Sequence, residues 1–563
     1  MIEFNPGLIM VIGGLLVPLV TGMARRVLLL ALPAAGMAYT IALDPGTVAS
    51  IAFFGYTLEV LRVDKLALVW GYIFHIAAFL GVLYAIHEDD TVQGSMAQVY
   101  MGAAVAAVFA GDLITLFIFW ELTAISSVFL IWASRTERSF RAGMRYLIIQ
   151  VGSGVLLLAG ALLILADTGS IAFNHIGTES LGGKLILVAF GIKCAFPLLH
   201  NWLQDAYPEA TVTGTVILSA FTTKLAVYAL ARGYAGTEIL IAIGAIMTMF
   251  PIFYAVIEND LRRVLAYSLN NQLGFMVVGI GVGTELALNG TAAHAFSHIL
   301  YKALLFMSMG AVLLRTGTIK GSELGGLYKT MPWTTGFCIV GAASISAFPL
   351  FSGFISKSMI LTALGVEGHW FTWAVLLFAS AGVFHHSGIK IPFFAFFAHD
   401  SGRRPKEAPL NMLLAMGLTA FLCIGIGVYP DPLYAILPFA VDYVPYTAVH
   451  VITQLQLLMF SALAFTFLML TGLYPPELKS TNLDSDFLYR RLAPRILASI
   501  GHIIAIADSS IRKTALGLLG GVMRWVERTH GQKGILAKTS SAGAMVTWVV
   551  GLLVVYLVLY FTG

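Results

Sequence analysis

The sequence predicts an all-α protein that crosses a membrane about 14–16 times, and two observations carry that prediction. Hydrophobic residues make up 58% of the 563 residues and charged residues only 11%, against roughly 25% charge in an average soluble domain. Apolar runs long enough to span a bilayer also recur along almost the whole chain. This composition excludes a soluble enzyme, a disordered protein and a nucleic-acid-binding protein.

The apolar runs define the candidate spans, since a helix needs about 20 residues to cross the hydrocarbon core. The first run lacks the basic start and the cleavage site of a signal peptide, so we expect it to be retained as a span. The spans lie near residues 6–23, 27–43, 64–86, 95–110, 112–133, 146–166, 184–200, 211–231, 238–258, 264–283, 289–314, 334–365 (interrupted), 371–397, 408–428, 451–473 and 546–562.

Lysine and arginine cluster in the loops of one side, which predicts that this side is cytoplasmic. The opposite loop 429–450 contains neither residue type. An even number of spans then places both termini in the periplasm of a bacterial inner membrane. The clusters are Arg25 and Arg26; Arg135, Arg138, Arg141 and Arg145; Arg262 and Arg263; Arg315, Lys320 and Lys329; Arg403, Arg404 and Lys406; and the stretch 474–545.

Two segments differ from ordinary spans. Residues 46–63 are rich in β-branched and aromatic residues, which predicts a short external hairpin. Residues 487–528 carry arginines among apolar residues at helical spacing, which indicates an amphipathic helix on the membrane surface. A solvated helical linker is the alternative for that segment.

The predicted organisation has six parts, two of which are half-channel repeats. They are N-terminal helices with the hairpin (1–94), a first half-channel repeat (95–258), a second, inverted repeat (259–400), C-terminal helices (401–473), a lateral amphipathic segment (474–545) and a final span (546–563).

The chemistry of the chain lies in ionisable residues predicted deep inside spans, where a charge costs several kcal/mol and usually marks an ion path. Three of them, His294, His298 and Lys302, recur every fourth residue and form one stripe that rises about 12 Å along a helix. The full set is Glu121, Lys193, Lys224, His294, His298, Lys302 and Lys357.

Burial favours the neutral form of an amine, and a nearby carboxylate favours the charged form. A buried Glu–Lys pair is therefore a protonation switch that depends on the separation of its members. The alternative is that each residue is a static, hydrogen-bonded polar group or reaches an interface. His75, His385 and His386 fit that alternative better, as packed or interfacial histidines.

Helix breaks coincide with two of the lysines. Pro197 follows Lys193, and Pro349 and Gly353 precede Lys357. Proline and glycine interrupt helices, and interrupted helices in corresponding halves point to a transport site. The opposite order of lysine and proline predicts two inverted five-helix repeats, with ordinary proline kinks as the alternative.

No soluble-enzyme or cofactor motif is present in the sequence. Cys194, Cys338 and Cys423 have no metal-ligand spacing, and the stretch 531–539 lacks a glycine that a phosphate-binding loop requires. We expect no bound cofactor, no metal and no catalytic role other than ion transport, so any pumping draws on an ion gradient or a partner.

Six motifs in order carry a family resemblance: FWELTAISSVFLIW, GIKCAFPLLHNWLQDAYPEA, LSAFTTKLAVYAL, NDLRRVLAYSLNNQLGF, HAFSHILYKALLF and SISAFPLFSGFISKS. The set, over roughly 95–365, resembles the antiporter-like proton-conducting subunits of respiratory complex I and the Mrp Na⁺/H⁺ antiporters. The pattern around Lys224 is most similar to the D-type member of the Mrp assembly.

The resemblance implies a role for each buried residue. Glu121 would modulate Lys193, the carrier of the first half-channel, and Lys224 would connect the two halves. His294, His298 and Lys302 would continue the axis to Lys357, the terminal carrier. The stretch 204–214 departs from the family pattern, with Gln204 and Val212-Thr213-Gly214 where prolines are usual.

The resemblance implies a proton-translocating subunit of a multisubunit monovalent-cation (Na⁺)/proton antiporter, with other antiporter subunits, protons, Na⁺ and lipid as partners. We expect no quinone to bind this chain. The alternatives are a proton-pumping subunit of a redox complex (NADH:quinone oxidoreductase or a membrane-bound hydrogenase), a non-conducting scaffold, and a partner of another effector such as one for inorganic carbon uptake. Glu121 stands alone as a buried carboxylate, so the Na⁺ path is expected in another subunit.

Overall fold

A computed structural model describes residues 3–475, 478, 482 and 484–563. The chain divides into two compact units, Met1–Asn482 and Leu483–Gly563. The prediction of an all-α polytopic membrane protein is confirmed, because twelve described helices are long and apolar enough to cross a membrane. The six-part division of the sequence stays a prediction.

The first unit begins with two helices, a hairpin and a third helix: α1 (Gly7–Leu16), α2 (Gly22–Ile41), β1 (Val48–Phe53), β2 (Tyr56–Arg62) and α3 (Lys65–Ala85). The hairpin lies where the sequence predicts it, and its antiparallel pairs run from Val48–Arg62 to Phe53–Tyr56. Its two turn residues, Phe54 and Gly55, have φ of 48° and 84°. Positive φ at both positions is the turn geometry that matches the twist of paired strands.

Several of the remaining helices of this unit begin at capping side chains. Asp90, Asp112, Thr136, Ser180 and Asp260 each accept a hydrogen bond from a backbone N–H in the first turn of the helix that follows. The helices are α4 (Thr91–Val108), α5 (Leu113–Trp132), α6 (Glu137–Thr168), α7 (Leu181–Cys194), α8 (Asn201–Ala206), α9 (Val212–Ala220), α10 (Thr222–Gly233), α11 (Ile239–Ile257), α12 (Leu261–Val282), α13 (Glu285–Thr316), α14 (Pro332–Ile345), α15 (Ser352–Val366), α16 (Trp370–Val383), α17 (Lys390–Pro392), α18 (Leu410–Val428), α19 (Asp431–Ala435) and α20 (Ala448–Leu470).

Tighter and wider helical turns interrupt these elements. The 3₁₀ turns are Val17–Leu19, Tyr207–Glu209, Gly321–Glu323 and Leu327–Lys329, and π-helical turns occupy Phe384–Ile389 and Phe393–Phe397 on either side of α17. A π turn inserts an extra residue and is frequent at functional sites. The continuous helical stretch Trp370–Phe397 therefore changes its register twice.

The number of long apolar helices differs from the predicted number of spans. Among the described residues, five predicted spans do not correspond to any of the twelve long apolar helices: those at α1, α4, α7, α12 and the α14–α15 pair. The stretch Leu488–Ala537, which was not predicted as a span, is one of the twelve. α7 and α14 have 14 residues each, and α12 contains Asn270, Asn271 and Gln272. α12 is almost wholly buried, and a helix covered by protein need not be uniformly apolar, because lipid does not contact its polar groups.

Helix α13 forms the centre of the first unit. It packs against α3, α9, α12, α14, α15 and α18. All of its side chains from Asn289 to Val312 are buried, which is the pattern of a helix surrounded by others. The His–Lys stripe predicted on this helix is therefore enclosed by protein on every side.

The two predicted helix breaks have the same sequence and the same backbone. Residues 195–198 and 347–350 both read Ala-Phe-Pro-Leu. Ala195 and Leu198 have φ of 62° and 69°, and Ala347 and Leu350 have φ of 57° and 74°. Non-glycine residues pay about 1–3 kcal/mol for this region unless the surroundings impose it. The breaks are therefore built features; the inversion of the two halves stays a prediction.

The second unit contains two long helices, α21 (Ala493–His530) and α22 (Ala542–Thr562), with a π turn at Leu488–Leu492 and a 3₁₀ turn at Ile535–Ala537. The 38 residues of α21 correspond to about 57 Å. A bilayer core is about 30 Å thick. This length fits a helix that runs along a membrane surface, which stays a prediction for this segment.

Candidate functional site

The structure encloses the predicted ionisable residues within the first unit. Lys193, Lys224, His294, His298 and Lys302 are fully buried, and Lys357 is 2% exposed. Glu121 is half-buried. Four lysines and two histidines without contact to solvent are costly for a folded chain, so they require either specific partners or a function.

Lys193 binds helix α5, the helix that carries Glu121. The Lys193 ammonium, carried on the last turn of α7, donates to Trp120 O (2.6 Å) and Thr123 Oγ1 (2.8 Å) and lies 4.4 Å above the Trp120 ring. Trp120 and Thr123 flank Glu121 in the chain. The Glu121 Oε1 atom is buried and has no hydrogen-bond partner among the described residues. The amine is thus anchored on the backbone of the helix that carries the carboxylate.

The Glu121 side chain occupies space that a glycine leaves open. A Cβ atom at Gly154 of α6 would overlap with Glu121 Oε1. Gly154 therefore allows the carboxylate to pack flat against α6. Any other residue at this position would displace it.

Lys224 lies directly after a second kind of helix break. Phe221, with φ −105° and ψ −67°, separates α9 from α10. The Lys224 ammonium donates to Ser219 O (2.6 Å), at the end of α9. Carbonyls at the end of a helix lack partners and carry partial negative charge, so they attract an ammonium group.

Lys357 uses the same device at the second Ala-Phe-Pro-Leu break. Its ammonium donates to Ile345 O (2.8 Å), the last residue of α14. It also lies 5.1 Å from the centre of the Phe275 ring. Broken helices thus supply carbonyl partners to two of the buried lysines, as discontinuous helices of transporters do for cations.

The stripe on α13 connects to the neighbouring helices through hydroxyl groups. His294 Nδ1 lies 3.0 Å from Ser356 Oγ, next to Lys357, and Lys302 Nζ donates to Ser268 Oγ (2.8 Å). The rings of His294 and His298 stack with centres 6.0 Å apart. Both ring nitrogens of His298 are buried without a partner in the part of the chain that the structure describes.

Several uncharged polar atoms in the interior of the first unit also lack a protein partner within the described ranges. They are buried side-chain atoms of Gln150, Gln204, Thr223, Asn270, Ser297 and Ser352. Buried polar groups are almost always hydrogen-bonded, to protein or to ordered water. These atoms therefore mark polar groups in the interior whose hydrogen bonds the described residues do not supply.

The stretch 204–214, which departs from the family pattern, folds into a helix corner. A 3₁₀ turn at Tyr207–Glu209 separates α8 from α9, and Thr211 caps α9 through the N–H of Gly214 (2.9 Å). Arg262 binds this corner through Ala210 O (2.9 Å). A break is thus retained around Pro208, whereas Gly214 lies inside a regular helix.

Sequence reasoning missed the hydrogen-bond connection of one histidine. His386 is fully buried, as a packed histidine is, and it is also hydrogen-bonded to Ser387, which bonds Ser268, the partner of Lys302. The signal was present, since His386 and Lys390 repeat the four-residue spacing of the α13 stripe. His385 does pack, with its ring stacked on Tyr474, and His75 bonds Gly71 O (2.7 Å).

A model of the family described as NADH:quinone oxidoreductase/Mrp antiporter, TM, matches residues 110–395. The chain belongs to this family. The matched region contains every ionisable residue of the site, from Glu121 to Lys390. The family resemblance predicted from the six motifs is thereby confirmed, and the chain is an antiporter-like membrane protein of the Mrp and complex I type.

Two curated relatives show the breadth of this family. Hydrogenase-4 component B of Escherichia coli is 26% identical over 424 residues, covering 65% of this chain and 61% of the relative. The D-type component of the Na⁺/H⁺ antiporter of Alkalihalophilus pseudofirmus is 29% identical over 330 residues, covering 54% of this chain and 67% of the relative. The chain thus spans about three-fifths of the length of the hydrogenase component.

A solved structure shares the fold. A chain in the structure of the Mrp complex from Dietzia sp. DQ12-45-1b superimposes with a TM-score of 0.70 at 21% identity, covering 77% of this chain and 95% of that chain. At this level of identity the likeness establishes the fold alone.

Proposed function

We propose that this chain is the proton-translocating subunit of a multisubunit monovalent-cation/proton antiporter, with Na⁺ as the exchanged cation. In this proposal protons move along Glu121, Lys193, Lys224, His298 and His294, Lys302 and Lys357. The observation that carries it is the burial of four amines and two imidazoles in an interior that also contains polar atoms without a protein partner among the described residues. The antiporter relative from Alkalihalophilus pseudofirmus supports the choice of an antiporter.

The arrangement suits stepwise proton transfer. A buried amine is neutral at little cost and takes up one proton when a carbonyl or carboxylate lies close. Two unit charges about 8 Å apart at an effective dielectric constant of about 20 repel by about 2 kcal/mol. At such a separation, a proton on one lysine lowers the proton occupancy of the next lysine roughly thirty-fold. Loading one site therefore empties its neighbour.

Glu121 is the adjustable member of the relay. It lies on the helix that anchors the Lys193 ammonium, and its Oε1 atom has no fixed partner in the described part of the chain. Movement of the carboxylate towards Lys193 would hold the proton there, and movement away would release it to Lys224. We propose a bacterial inner membrane with the basic loops on the cytoplasmic side and both termini in the periplasm.

A proton-pumping subunit of a redox complex is the second candidate function. The hydrogenase-4 component B relative favours it, because its name places it in a hydrogenase. The relay residues would act identically in either assembly. The composition of the purified complex distinguishes the two, since a redox complex contains flavin or iron–sulfur subunits and an antiporter contains small membrane subunits.

The test is transport by the assembled complex in everted membrane vesicles. We expect Glu121→Ala, Lys224→Ala and Lys357→Ala each to lower cation-dependent proton transport at least tenfold, with the chain still present in the complex. Lys184→Ala is the matched control, because Lys184 is an exposed lysine on α7. Full transport by any two of the three relay variants would overturn the proposal.

A further inference from the structure

A branch of hydrogen bonds leaves the α13 stripe at Lys302 and runs to the Trp370–Phe397 stretch. Ser268 Oγ accepts from Lys302 Nζ (2.8 Å) and from Ser387 Oγ (2.7 Å). Ser387 Oγ lies 2.9 Å from His386 Nδ1. In the tautomer that carries its proton on Nδ1, His386 donates to the Ser387 hydroxyl, which in turn donates to Ser268. The Nε2 atom of His386 is buried without a partner among the residues that the structure describes.

A π-helical turn places the two branch residues side by side. His386 and Ser387 lie within the π turn Phe384–Ile389, and both are fully buried. Adjacent residues of an ordinary α-helix point about 100° apart, so they rarely join the same internal network. π turns are rare and occur mostly where function requires a local change of register.

The branch continues towards the side of the basic loops. Lys390, one turn after His386, donates to Val256 O and Glu258 O, both at 2.7 Å, where α11 ends. Phe394, one turn further, lines a cavity of 330 Å³ with Ser322 and His399. Ser322 lies in the loop that contains Lys320, which pairs with Asp260 (3.0 Å). The far end of the branch therefore approaches the basic-loop face.

We propose that His386 is a proton-relay residue and that Ser268, Ser387 and His386 connect Lys302 to the basic-loop side of the membrane, with the buried Lys390 next along this path. The proposal rests on the proposed proton-translocating function and adds a path to it. It gives the second half of the chain its own proton access on the basic-loop side.

The transfer conserves protons and needs no other reactant. His386 takes a proton on Nε2 from the basic-loop side and gives up its Nδ1 proton to Ser387 Oγ. When Lys302 is neutral, the Ser268 hydroxyl turns to donate to its amine. Ser387 then passes its hydroxyl proton to Ser268, and Ser268 passes its own to that amine. One N–H bond forms at His386 Nε2 and one at Lys302 Nζ, while the Nδ1–H bond of His386 and the bond that held the incoming proton break. Rotation of the two hydroxyls and a flip of the His386 ring, which exchanges its two nitrogens, restore the chain. The reverse sequence releases a proton.

The discriminating substitution keeps the hydrogen bond but removes the titrating group. His386→Gln retains a hydrogen-bond donor near Ser387, but the glutamine amide does not take up or release a proton at neutral pH. His385→Gln is the matched control, because His385 is the adjacent histidine and packs on Phe465 and Tyr474 outside the branch. We expect His386→Gln to lower proton transport by the assembled complex at least tenfold and His385→Gln to stay within twofold of the parent.

A serine pair separates relay from packing. We expect Ser387→Ala to lower proton transport several-fold. Ser387→Thr keeps a hydroxyl at this position, so we expect its proton transport to be close to that of the parent. If His386→Gln reduces the amount of assembled complex, the comparison of Ser387→Ala with Ser387→Thr decides the question. Equal transport by these two serine variants overturns the branch, and higher transport by Ser387→Thr supports it.

Lys302→Ala distinguishes failure of the branch from failure of the proposed function. An inactive Lys302→Ala together with a His386→Gln variant within twofold of the parent overturns the branch and leaves the relay standing. Full transport by both Lys302→Ala and Lys224→Ala would overturn the relay and, with it, the branch.

Discussion

Lys193 stands before the break at residues 195–198, whereas Lys357 stands after the break at 347–350, although both breaks share one sequence and one backbone geometry. The Lys193 ammonium reaches across to α5, the helix of Glu121, while the Lys357 ammonium binds the end of its own broken pair, at Ile345 O. In the proposed relay the first lysine thus depends on a carboxylate that moves, and the second on a helix end that is fixed. Two breaks of identical sequence thus accompany two different lysine environments, one adjustable at Lys193 and one constant at Lys357.

The largest effect expected from this comparison concerns Gly154. Gly154→Ala places a Cβ atom on top of Glu121 Oε1, so the carboxylate has to leave its position against α6. We expect proton transport in everted vesicles to fall at least tenfold, as in Glu121→Ala. Gly152→Ala is the control, because a Cβ there meets no described atom within 4 Å. Equal activity of the two glycine variants would show that the position of Glu121 does not matter.

The equivalence of the two breaks gives a prediction about stability. Ala195→Val and Ala347→Val force a β-branched residue to positive φ, at a cost of about 1–3 kcal/mol each. We expect both to lower the midpoint of thermal denaturation of the purified complex by similar amounts, whereas Ala→Gly at either position is tolerated because glycine adopts positive φ freely. A break that accepts valine without loss would not be the strained element described above.

The smallest expected effects come from the hydroxyls that support each half. Thr123→Val removes a direct partner of the Lys193 ammonium (2.8 Å), and Ser356→Ala removes the partner of His294 (3.0 Å). At about 1 kcal/mol for a hydrogen bond, we expect transport to fall roughly fivefold in the first and less in the second. Ser358→Ala is the control on α15, since the Ser358 hydroxyl donates to its own helix at Phe354 O. If Ser356→Ala lost more transport than Thr123→Val, the hydroxyl of the second half would matter more than that of the first, contrary to this prediction.

Much of this protein is predictable from residue types alone. Charged residues in apolar runs are rare, so Glu121, the four lysines and the α13 histidines are conspicuous, and the structure buries all except Glu121 completely or almost completely. Prolines 197 and 349 locate both breaks. The repeated Ala-Phe-Pro-Leu is equally visible in the sequence, and it is the most specific evidence there that the two breaks correspond.

Span number and hydrogen-bond partners were not predictable in the same way. α12 is enclosed by other helices, so it carries Asn270, Asn271 and Gln272 without contact to lipid. The partners of Lys224 and Lys357 are backbone carbonyls of Ser219 and Ile345. Every residue has a carbonyl, so no residue type indicates this contact.

Hydropathy and charge are properties of the residues, so the amino-acid order is enough to specify a bundle of membrane helices with amines and imidazoles in its interior. The packing of the helices selects which helix ends and hydroxyls receive those groups, and it joins His386 to Lys302 whereas the neighbouring His385 packs against aromatic rings. Those outcomes depend on the register of a π turn and on the packing of distant helices, which arise only when the whole bundle is assembled.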